Sequence, residues 1–116
     1  MIRAYQDYIV DVLDSIDKAQ TFVKGMTFEA FEKDPKTSYA VVRAFEIMGE
    51  AVGKIPAGVR NRFPEIPWKE MAGMRNKLIH EYFGIQSRVV WKTIKHDLPK
   101  IKPHFQKILD DLTMNP

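Results

Sequence analysis

The stretch PWKEMAGMRNKLIHEYFG, residues 67–84, holds the side chains best suited to chemistry. Trp68, Met71, Arg75, Leu78 and Tyr82 step by three and four, the spacing of one helical face. Arg75 therefore stands where the period calls for an apolar residue. Met74, Ile79 and Phe83 widen the apolar arc, which predicts a largely covered helix. A guanidinium in that setting must meet carboxylates, a phosphate or an interface, because an unpaired buried charge is costly. The structural explanation is an ion pair to Glu46 or Glu50, four apart on an earlier helix with Arg43 nearby. His80 follows Arg75 at a turn of roughly 140° on an ideal helix. The two groups converge only if Arg75 bends toward the His side, or if they meet across a twofold dimer. His80 and Tyr82 fall in the last turn before Gly84, where unpaired carbonyls and the negative end of the helix dipole favour an imidazolium. The plain alternatives are an exposed or structural histidine and a tyrosine packed with one hydrogen bond. His96 and His104 have no such company and receive no role.

The elements that must position these groups are all helical. Ile2, Tyr5, Ile9, Val12, Ile16, Ala19 and Val23 form one apolar seam, with Asp7, Asp11, Asp14 and Asp17 off it and Gly25 as a stop. Thr27 to Glu32 suits a short amphipathic turn. Asp34-Pro35 reads as a cap and first residue of a second long helix, whose seam is Val41, Phe45, Met48, Val52 and Ile55. Pro56 to Pro67 is a proline-rich loop with one turn expected around Val59–Phe63. Pro67 opens the third main helix and Gly84 closes it. Ser87 caps a fourth, with Trp91, Ile94, Leu98, Ile101, Phe105, Ile108 and Leu112 in register. Pro99 and Pro103 interrupt that run, which predicts a kink or two abutting helices. The expected fold is all-α, an up-and-down bundle of four to five helices in a single domain over residues 1–116.

With 116 residues, 45% of them hydrophobic and 11% aromatic, the chain is large enough for one core and is not of disordered composition. It has no Cys, which excludes a disulfide scaffold, a thiolate metal site and a Cys nucleophile, and which fits a reducing cytoplasm. No metal site or cofactor motif is found, and glycine-rich phosphate loops are absent. No apolar run nears the ~20 residues of a membrane span, and the acidic, amphipathic start does not read as a targeting peptide. Charge is unevenly placed. Residues 1–53 hold 6 Lys/Arg against 9 Asp/Glu, whereas residues 54–107 hold 12 against 4 and all three His. A basic half of this kind attracts a polyanion such as RNA, although lysines also simply solvate a helical protein.

Arg75-Asn-Lys-Leu-Ile-His80-Glu-Tyr82 reads as Arg, four residues, His, one residue, Tyr. It resembles the signature of HEPN-domain proteins, specifically the HepT-like toxins paired with a minimal nucleotidyltransferase antitoxin. The surrounding MRNKLIHEYFGI, the stretch from Arg43 through Glu46 to Glu50, and the proline-rich loop after it are similar to that family over essentially the whole chain. The resemblance implies a cytoplasmic all-α homodimer that cuts RNA without a metal. Arg75 and His80 would be the catalytic pair in a dimer cleft, and Tyr82 the residue that the partner modifies with AMP. Arg43, Glu46 and Glu50 would orient or neutralise Arg75, and Lys77 and Asn76 would face RNA phosphates.

Such chemistry suits the side chains. RNA brings its own nucleophile, the 2′-hydroxyl, so the protein must supply proton transfer and charge stabilisation. An imidazole with a pKa near ~6.5 serves the first, and a permanently charged guanidinium fork the second. Two other functions remain open at this point. One is a module that grips nucleotide or RNA phosphates without cutting, for which a titratable imidazole is unnecessary. The other is a helical adaptor in which Arg75 is only an interhelical ion pair.

Overall fold

Local sequence sets each helix boundary before packing is considered. The computed structural model describes residues 5–73 and 87–114, with side chains to residue 112. Helix α1 spans Tyr5–Phe22 and buries Ile9, Val12, Leu13, Ser15, Ile16 and Ala19. The turn that follows it closes at Gly25, whose φ of 77° is the left-handed conformation that a stop requires. Helix α2, Phe28–Glu32, is capped by Thr27, whose hydroxyl oxygen accepts the Ala30 N–H at 3.1 Å. Helix α3, Pro35–Gly53, starts at Asp34, whose carboxylate accepts the Thr37 N–H at 3.3 Å and the Thr37 hydroxyl at 2.8 Å. These bonds, the hydroxyl first, hold the Asp34 carboxyl below its ordinary pKa of 3.8. Helix α4, Ala57–Arg60, is the single turn expected in the proline-rich loop, set slightly earlier than the sequence suggested because Pro56 supplies its extended N-cap. Residues 68–73 form α5.

The last two helices are joined by a feature that the sequence did not announce. Helix α6, Ser87–Lys92, passes through a π-helical segment, Thr93–Asp97, into α7, Leu98–Met114. Of the two expected outcomes, a kink or two helices abutting in one register, the structure has the second, joined by one wide turn just before Pro99 in which the Leu98 N–H bonds to the Thr93 carbonyl. Pro99 has no N–H for the Lys95 carbonyl, and its ring would crowd that oxygen, so a five-residue bond relieves the clash. The Thr93 hydroxyl, donating to the Val89 carbonyl at 2.9 Å, adds to the distortion. Ile94, Leu98, Phe105 and Ile108 remain fully buried, so the seam survives.

Helix α1 lies at the centre and packs most extensively on α3 and next on α7. Its direction opposes both. Tyr8 near its start meets Lys54 just past the end of α3, and Asp17 pairs with Lys102 while Tyr5 shares a cleft with Ile108 and Leu112. The core joins Ile9, Val12 and Ile16 to Val41, Phe45, Met48, Val52, Leu98, Phe105 and Ile108. The chain is thus an all-α bundle, with no strand among the described residues. Among those residues no helix is long and apolar enough to cross a membrane.

Candidate active site

Helix α5 carries the start of the motif stretch, and its base is firmly seated. The Pro67 carbonyl accepts the Met71 N–H at 3.0 Å, so the first helical bond starts at that proline. Trp68 is clamped twice: its indole N–H donates to the Phe63 carbonyl at 2.9 Å, and its ring meets Phe105 edge-on at 5.4 Å. Met71 is fully buried. Trp68 and Met71, the first two positions of the seam that leads to Arg75, therefore face the core as the periodicity requires. Arg75, Asn76, Lys77, His80 and Tyr82 themselves lie outside the described residues.

The supporting residues of α3 are described. Val41, Phe45, Met48 and Val52 occupy its buried face. Tyr39, Arg43, Glu46 and Glu50, also three and four apart, occupy a stripe on the opposite side. Arg43 and Glu50 are exposed and Glu46 is half-buried. Among the described residues, none of these three charged groups has an ion-pair or hydrogen-bond partner. The structure thus brings Arg43, Glu46 and Glu50 onto one outward stripe of polar and charged groups.

Other candidates offer less. His96 is exposed, and His104 lies 3.7 Å from Glu65 at the surface. No three His, Asp or Glu side chains among the described residues converge as metal ligands would. An open cleft of about 240 Å³ lies between the start of α1 and the end of α7, beside Arg62, Phe63 and Asp111. That is below the ~300–1,000 Å³ typical of small-molecule sites.

One arrangement was not visible in the sequence. On α6 and the π segment, the Arg88 guanidinium lies 4.4 Å from the centre of the Phe28 ring, and the Lys95 ammonium 4.9 Å from that of Trp91. Trp91 packs in turn on Phe28 and Phe31, at 6.1 and 5.4 Å between ring centres. The available signal was Arg88, Lys92 and Lys95 recurring at helical spacing about a tryptophan. The aromatic partner of Lys95 is near it in sequence, but Phe28, the partner of Arg88, comes from a helix far away.

The profile of the family described as "Ribonuclease HepT-like" matches residues 12–108. A Thermococcus cleftensis protein named "Probable ribonuclease HepT" is 48% identical over 108 residues, covering 93% of this chain and 98% of that protein. A Methanocaldococcus jannaschii protein named "Putative RNase MJ1216" is 46% identical over 110 residues, covering 95% of this chain and 91% of its own length. No solved structure is significantly similar to the chain.

Proposed function

Because the chain belongs to the HepT-like ribonuclease family, we propose that it is a metal-independent endoribonuclease that works as a homodimer, with Arg75 and His80 as its catalytic pair. The observation that carries this reading is the Arg75-x4-His80-x-Tyr82 spacing, which falls inside the matched residues and within the basic half of the chain. The firm seating of Trp68 and Met71 supports it, because a motif read from the helical period needs a helix anchored in that register.

In this reading the RNA 2′-oxygen attacks the adjacent phosphorus and the bond to the 5′-oxygen breaks. His80 of one protomer takes the 2′-proton, and His80 of its twofold mate gives a proton to the departing 5′-oxygen. Arg75 holds the phosphoryl oxygens as negative charge accumulates on them. The products are a 2′,3′-cyclic phosphate and a 5′-hydroxyl. Lys77 and Asn76 grip neighbouring phosphates, and the α3 stripe of Arg43, Glu46 and Glu50 orients Arg75. The protein acts in the cytoplasm as the toxin of a toxin–antitoxin pair. Its nucleotidyltransferase partner silences it by placing AMP on Tyr82, which sets negative charge and bulk where substrate phosphates must lie.

The test is incubation of the purified protein with mixed RNA in chelator, beside the His80→Ala variant. We expect cyclic-phosphate ends from the wild type and a rate lower by ~10²–10⁴-fold in the variant, the usual worth of general acid–base catalysis. Equal cutting by both would overturn the assignment of His80. Binding of RNA without cutting would favour the phosphate-gripping module instead.

A further inference from the structure

The α2–α6 corner sets cations over aromatic rings at the surface, and the core does not account for them. Phe31 is fully buried, while Phe28 and Trp91 are half-buried above it. Packing among the three rings fixes their inner faces. Arg88 and Lys95 lie over the rings yet are themselves exposed, so their outer sides remain available. Lys92 shares this strip of the helix and is exposed as well. Glu29 and Glu32 on α2 and Asp97 at the end of the π segment are the nearby carboxylates by position, and none forms an ion pair with these cations.

We propose that this corner is a docking surface for single-stranded RNA, holding the strand that leads away from the cutting site. The inference rests on the ribonuclease reading only for what happens at the other end of that strand. Cations against aromatic rings are the combination that single-stranded nucleic acid uses: phosphates meet the charges, and bases stack on rings or on guanidinium planes. Arg88 and Lys95, seven residues apart, stand about 10 Å apart along the helix. That spans about three nucleotides of a stacked strand at ~3.4 Å each. The corner is also tethered to the motif. The eight residues from His80 to Arg88 reach at most about 28 Å, a span that a short single strand covers. Exposed Val89 is the feature that would instead favour a protein partner. Three cations around it, without described counter-charges, favour a polyanion.

The experiment uses the full chain and a fluorescein-labelled twelve-nucleotide 2′-O-methyl RNA, which lacks the nucleophile and is not cut. Arg88→Gln/Lys95→Gln should weaken binding by about tenfold or more, and should reduce the slope of log affinity against log salt by about 1.4, or ~0.7 for each phosphate released. Lys54→Gln/Lys107→Gln, which removes equal charge at the opposite end of the bundle, should leave both unchanged. Binding should also quench the half-exposed Trp91, and Trp91→Phe should lose the quench while still binding. Wild-type affinity and slope in the Arg88/Lys95 variant would overturn the proposal. So would a quench that persists in Trp91→Phe. If that variant kept its RNA affinity but separated into smaller particles on sedimentation, the corner would be an interface between copies and the RNA proposal would fall. Failure of the ribonuclease reading looks different: the wild type would not cut unmodified RNA, and the binding differences would remain.

Discussion

Two interfaces of this bundle are built from similar materials to opposite ends. Between α1 and α3, Ile9, Val12, Ile16, Val41, Phe45, Met48 and Val52 are all essentially withdrawn from water. Where α2 meets α6, Phe31 alone of the three rings is fully withdrawn, and the remaining aromatic surface is shared with Arg88 and Lys95. The first arrangement gains the full hydrophobic contribution of each side chain and offers a ligand nothing. The second forgoes part of that gain and keeps charge at the surface. Stability therefore concentrates in one interface, while the other is free to serve recognition.

Substitutions that sort by interface test this contrast. Phe45→Ala should show the largest effect, a loss of about 3–5 kcal/mol of unfolding free energy in urea, as buried Phe truncations do. A loss below about 1 kcal/mol would mean that the α1–α3 face is not the main source of stability. Arg88→Ala should cost only ~0.5–1 kcal/mol, the worth of an exposed cation over an aromatic ring. A cost as large as that of Phe45→Ala would make the corner structural and erase the contrast. The smallest effect belongs to neither interface. The Asp34 carboxyl titrates below 3.8 in the folded protein because Thr37 bonds to its ionised form. Its contribution is therefore present above the unfolded-state value and is lost as pH falls through the lowered folded one. Asp34→Asn keeps a capping oxygen without the titration, so acid unfolding curves of this variant should lack that part of the pH dependence.

Much of the fold was legible because helical period, caps and stops are local. The seams of α1, α3 and α7, the Asp34 cap and the Gly25 stop all follow from neighbours in sequence. The π segment was not legible. Pro99 removes a donor and crowds a carbonyl, but whether a helix bends, breaks or widens in response depends on what its seam must keep packed. Here Ile94 within the wide turn and Leu98 just after it are both buried, and widening preserves both. The site divides in the same way. Arg43, Glu46 and Glu50 lie on the helix that the sequence expected to carry them, off its buried face. The seam leading to Arg75 begins as expected at Trp68 and Met71. The pairing of Arg88 with Phe28 joins residues remote in sequence, and no periodicity within either helix reveals it.

The proposed mechanism needs Arg75 for phosphate chemistry and not for holding helices together. Arg75→Ala decides this when its urea unfolding curve and its rate of RNA cutting in chelator are measured on one preparation. An unfolding midpoint close to that of the wild type, with loss of cutting, is the result expected of this role. A fall of about 3–5 kcal/mol in stability, as when one partner of a buried ion pair is removed, with the remaining folded protein still cutting RNA at the wild-type rate, would contradict it.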